Sequence, residues 1–109
     1  MKNNYKYSYS LDFSKLTDYK EIHTIIQKSL DFPDYYGKNW DAFWDCITDM
    51  ITDSVHIEIR GIDQLKKVDE KSEKMLMECL KEFKHCYNDR YCEGIKIEII
   101  IGNARYEIS

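Results

Sequence analysis

Three segments of this 109-residue chain alternate apolar and polar side chains, and the stretches between them repeat apolar residues every three or four positions. That switching between strand period and helix period constrains the fold more than any other feature. Tyr5, Tyr7, Tyr9, Leu11 and Phe13 interleave with Lys6, Ser8, Ser10 and Asp12, while Val55, Ile57 and Ile59 interleave with His56, Glu58 and Arg60. Ile95 to Ile101 is the last such run, and its near-continuous apolar character predicts a strand covered on both faces. Asp18 followed by Glu21 reads as a helix start, with Ile22, Ile25, Ile26 and Leu30 behind it, so a helix is predicted over about residues 19–30. Trp40, Phe43, Trp44, Ile47, Met50 and Ile51 fill an arc of about 120° on a second helix and are assigned to the core, with Trp44 at the edge of the arc. Ile62 to Val68 reads as a short helical or turn segment. Met75, Leu76, Cys79, Leu80, Phe83 and Tyr87 mark a long amphipathic helix that Asn88 to Gly94 is expected to end. The order β-α-α-β-α-β predicts parallel strands joined by right-handed crossovers, in a single small α/β domain over residues 1–109.

At 43% hydrophobic residues the chain has enough apolar side chain to bury a core. No apolar run approaches the roughly 18 residues of a membrane span, and Met1-Lys-Asn-Asn lacks the apolar stretch of a secretory signal. The expectation is a cytoplasmic protein without a membrane partner, in which Cys46, Cys79, Cys86 and Cys92 are reduced thiols. Lys and Arg cluster nowhere, which argues against direct nucleic-acid binding. The formal charge of −4 is unevenly spread. Residues 39–59 hold Asp41, Asp45, Asp49, Asp53 and Glu58 with no Lys or Arg, so that segment carries −5 and the remainder +1.

No pattern of catalysis emerges. The cysteines have no C-x-x-C and no zinc spacing, His23, His56 and His85 are scattered, and no phosphate-cradling glycine motif occurs, so neither a metal nor a cofactor is predicted. Asp41 and Asp45 lie side by side one turn apart, where they do not flank a substrate cleft as paired catalytic carboxylates do. Their stripe with Asp49 and Asp53 is unfavourable at i, i+4 spacing, and a cationic partner would relieve it. Ahead of it, Phe32 to Lys38 is a connector, in which Pro33 opposes helix and Gly37 can take positive φ. Asn39 is the predicted N-cap. Tyr35 and Tyr36 with Trp44 put rings beside the carboxylates, which is how protein interfaces are built, and the patch reads as a surface for a basic protein.

The stretch FPDYYGKNWDAFWDC, residues 32–46, resembles the barstar family of intracellular inhibitors of secreted barnase-like ribonucleases. The family pattern is matched in order without a gap, and a weaker collinear likeness extends over most of the chain, leaving residues 1–10 and 86–93 as local additions. The resemblance implies a small three-layer fold, with a three-stranded parallel sheet packed by three to four helices. It also implies a non-enzymatic chain without cofactor that plugs a ribonuclease active site. By that correspondence Tyr35 lies against the catalytic centre, and Asp41 and Asp45 meet the Arg and Lys side chains that otherwise hold RNA phosphate. Trp44 is the interface ring, Gly37 offers backbone, Asn39 caps the helix at the rim, and Glu82 is the contact from the long helix, with Glu78 one turn away. Trp40 and Phe43 stand where other members have smaller apolar groups, and Asp49 and Asp53 extend the stripe beyond the family's usual anions. Two further readings of this face stay open: immunity against a different basic toxin, and a small enzyme acting through Asp41, Asp45 or Glu82.

Overall fold

The alternating segments become strands and the segments between them helices. The structure, a computed structural model, describes residues 5–50, 54–91 and 94–108, and the side chains of residues 50 and 86–91 lie outside that description. In chain order the elements are β1 (Tyr7–Asp12), α1 (Ile22–Ser29), α2 (Trp40–Met50), β2 (Val55–Arg60), α3 (Ile62–Val68), α4 (Glu70–Tyr91), β3 (Ile95–Ile101) and β4 (Ala104–Glu107). The helix start expected at Asp18 is a 3-10 turn over Tyr19–Glu21, whose Lys20 amide donates to the Asp18 carboxylate at 3.0 Å.

Strands lie in the order β1-β2-β3-β4. β1 pairs parallel with β2 from Tyr7 opposite Val55 to Asp12 opposite Arg60, β2 pairs parallel with β3, and β4 returns antiparallel. A chain that always steps to the next strand on the same side, through right-handed crossovers, keeps every crossover helix on one face of the sheet. Burial follows that rule. Leu11, Ile57, Ile59, Ile97 and Ile99 face Ile26 of α1, Phe43 and Ile47 of α2, Leu65 of α3 and Leu76, Leu80 and Phe83 of α4 in one cluster of buried side chains.

The other face carries Ser8 and Ser10, His56, Glu58 and Arg60, Lys96 and Glu98, then Arg105 and Glu107. The α/β class therefore stands, while one detail is corrected: the sheet has four strands rather than three. β3 is also not covered by helices on both faces, since Lys96, Glu98 and Ile100 occupy its second face. Glu98 is nonetheless buried, because it sits in a lattice of ion pairs. Its Oε1 lies 2.7 Å from His56 Nε2 and accepts from Arg105 Nη1 at 3.1 Å, while the same Arg105 nitrogen donates to Glu58 Oε2 at 2.9 Å. Arg60 reaches Glu58 Oε1 at 3.3 Å.

α4 runs on through Asn88, Asp89 and Arg90, where a break was expected. Asn and Asp weaken a helix interior by only a few tenths of a kcal/mol, and no Gly or Pro intervenes before Gly94. β4 was not foreseen; it follows the two-residue turn Gly102-Asn103, with Gly102 at φ +59°. Gly61 between β2 and α3 is held to glycine twice over: its φ is +75°, and a Cβ there would lie 2.2 Å from the Ser14 amide nitrogen.

Candidate functional site

α1 ends at Ser29 with Leu30 as its cap, Asp31 beyond it takes φ +56°, and the chain then turns back over that helix. Phe32 is buried with its ring 5.1 Å from Tyr36 and 6.0 Å from Phe43, which roots the loop in the core. Gln27 Nε2 donates to the Pro33 carbonyl at 2.9 Å, and the Tyr36 amide donates to the same carbonyl at 3.0 Å. Of the tyrosine pair, Tyr36 is buried and Tyr35 is 82% exposed at the turn's apex. Positive φ falls on Lys38 rather than on Gly37, although Gly37 could take it. Gly37 is instead a close approach, where a Cβ would meet the Ala42 methyl at 3.3 Å. Asn39 is the predicted cap: its Oδ1 accepts from the Ala42 amide at 2.7 Å, and its carbonyl accepts from Phe43.

The helix so started turns Phe43, Cys46 and Ile47 inward, leaving Asp41, Asp45 and Asp49 exposed as one stripe. Asp53 lies outside the described residues. α2 packs on α4, and between them runs a groove of about 500 Å³ lined by Trp40, Asp41, Trp44, Asp45, Met75, Cys79 and Glu82. Asp41, Trp44, Asp45 and Glu82 are thus brought together, and Glu82 rather than Glu78 lines the groove. Tyr35, Gly37 and Asn39 are not in it; they form the exposed loop leading to the start of α2. Among the described residues no Lys or Arg forms an ion pair with Asp41, Asp45, Asp49 or Glu82.

The field of these carboxylates registers on both neighbouring thiols. Burial pushes the Cys79 thiol up, and the charges of Glu82, Glu78 and Asp41 push it further. Burial likewise raises Cys46, with Asp45 and Asp49 adding to it. Cys46 is buried as a core thiol, whereas Cys79 is only half-buried at the groove floor. Trp40, assigned to the core by its spacing, is half-buried and doubles as groove wall, and Met75 and Cys79 line the groove as well. These three contributions were missed because helical spacing shows that a residue is apolar but not that the neighbouring helix stops short of covering it.

The scattered histidines find separate settings. His23 sits under the loop against Tyr36, and His56 joins Glu58 and Glu98 on the bare sheet face with their ligand atoms within 4.8 Å of one another. Arg105 bridges those two carboxylates, so the position a metal ion would take among them is filled by the protein's own guanidinium.

Fold and face together define a class: a small α/β protein whose sheet is backed by helices and whose second helix presents a ring-framed acidic surface. A family model described as Barstar (barnase inhibitor) matches residues 7–99, and the chain belongs to the barstar family. A comparison with individual curated proteins finds no match.

Proposed function

We propose that the chain inhibits a barnase-like ribonuclease by seating the α2 face and the Tyr35 loop in its active site. A ribonuclease pocket must be cationic to hold phosphodiester, so carboxylates on a rigid helix can take the place of RNA phosphates there. In this reading Asp41, Asp45 and Glu82 meet the nuclease's Arg and Lys side chains, Trp44 and Tyr35 supply the rings, and Gly37 and Asn39 form the rim. The observation that carries it is the set of three exposed carboxylates around one groove, none of them ion-paired to a Lys or Arg among the described residues. Membership of a family described by barnase inhibition supports the same partner class. The working compartment is the cytoplasm of the producing cell, where the inhibitor would protect cellular RNA.

Titration of the purified chain into an RNA-cleavage assay with a microbial guanyl-specific ribonuclease tests this. Cleavage should fall to zero at one equivalent, and association should slow as salt rises. Asp45→Ala should weaken binding by at least about 30-fold, the roughly 2 kcal/mol that marks a hot spot. Barnase and barstar are themselves the type case for such charge-steered association, so only the direction is carried to this chain. Cleavage that persists at large molar excess over several such nucleases refutes the proposal.

One observation favours a second reading, immunity against a different basic toxin: Asp49 prolongs the exposed stripe a further turn along α2. Tight, salt-sensitive binding to a basic toxin other than a ribonuclease, lost on Asp49→Ala, would select it.

A further inference from the structure

The loop that carries Tyr35 has no regular secondary structure, yet it is tied to α1 at two points. Gln27 holds the Pro33 carbonyl at 2.9 Å, and His23 Nδ1 lies 2.6 Å from the Tyr36 hydroxyl one helical turn earlier. Between the two ties the chain makes the turn closed by Tyr36 N–H and Pro33 C=O, which leaves Tyr35 at the outer apex. His23 also touches α2: its ring stands edge-on to Trp40, with centroids 4.5 Å apart, and Trp40 is a wall of the acidic groove. One imidazole therefore contacts both halves of the face, the loop and the first turn of α2.

We propose that His23 is the positioning residue of this face, fixing the Tyr35 loop through Tyr36 and the groove wall through Trp40. The inference rests on the inhibitory reading of the face for its consequence, but not for its geometry. Neutral imidazole suits the place. Burial alone holds the His23 pKa below its usual value, and the same burial holds the Tyr36 phenol well above the ordinary tyrosine range, so Tyr36 remains a phenol. Among the described residues no ion pair reaches His23 from Glu21 or Lys28 on the α1 side, Asp34 or Lys38 in the loop, or Asp41 on α2. A proton added to His23 would thus be a half-buried charge without a counter-ion among the described residues, which loosens the contacts on both sides. The sign follows: a group whose folded pKa is depressed contributes stability that is present above about pH 6.5 and is lost as pH falls toward the folded value.

Three variants test the assignment: Tyr36→Phe keeps the ring and removes the hydroxyl, His23→Phe keeps an aromatic ring, and His23→Gln keeps a hydrogen-bonding partner without a charge. Amide hydrogen exchange at residues 34–37 reads the loop, and binding kinetics with a microbial guanyl-specific ribonuclease at pH 7.5 and pH 5.5 read the face. We expect exchange to quicken about fivefold in Tyr36→Phe and in His23→Phe, with the double variant no faster than either single one, the worth of one hydrogen bond. His23→Gln should exchange at the wild-type rate at pH 7.5 and lose less binding between the two pH values than the wild type does. Unchanged exchange in Tyr36→Phe, or single-variant effects that simply add, overturn the assignment whatever the nuclease does. If exchange responds as expected but the wild type binds no nuclease, the loop anchor stands and the inhibitory reading fails.

Discussion

At the scale of single residues, the bare sheet face offers the sharpest electrostatic test. Hydrogen bonding from Arg105 is the main cause that lowers the Glu58 pKa, whereas for Glu98 the main cause is the hydrogen bond with His56. Arg105→Ala should therefore raise the Glu58 pKa more than that of Glu98, as carboxyl carbon NMR titrations would show. Both folded pKa values are depressed, so their contribution to stability is present above the ordinary glutamate value of about 4.3 and is lost as pH falls through the folded values. The acid limb of the wild-type stability profile should accordingly flatten in Arg105→Ala. None of this lattice was legible in the sequence, because register sets it: Glu58 pairs opposite Glu98 only once β2 and β3 are aligned, and Arg105 arrives on an unforeseen strand. The candidate face was far more legible, since Tyr35, Asn39, Asp41, Trp44 and Asp45 fall within one ungapped stretch of residues 32–46.

Elements carry the trade between stability and recognition. Along α2, Asp41, Asp45 and Asp49 repel one another at one-turn spacing, each neighbouring pair costing a few tenths of a kcal/mol in the free chain. Asp45→Asn relieves two such pairs and should raise the melting temperature by about 2 °C while weakening nuclease binding, an opposite movement that thermal denaturation and inhibition assays check together. A rise in neither, or a parallel loss of both, would mean that the stripe is neutralised in the folded chain. Helix existence was readable from three-four spacing at α1, α2 and α4, because each buries one face against the sheet or a neighbour. Helix ends were less so. The end of α4 was misplaced because Asn and Asp were given the weight of breakers, and β4 escaped notice although Gly102-Asn103 is a hairpin signal, because only four residues follow before the chain leaves the sheet.

For the molecule as a whole, sequential strand order decides the architecture. Placing each strand beside the last in one direction puts all the helices on one side, which a pattern of alternating elements does not reveal by itself, since it fits a doubly covered sheet equally well. The proposed recognition surface belongs wholly to the helical side, and Ser8 and Ser10 on β1 are exposed on the opposite one. Substituting either with Glu or Lys should change stability by no more than about 0.5 kcal/mol and leave inhibition of a guanyl-specific ribonuclease within twofold, as urea denaturation and cleavage titration would record. A large loss of inhibition in such variants would relocate the working surface.

The one-sided stacking gives the molecule a front and a back. Whatever docks on the front leaves the back free to the surroundings, so a dye, a tether or a second protein attached through β1 would ride on such a complex without meeting the docked partner.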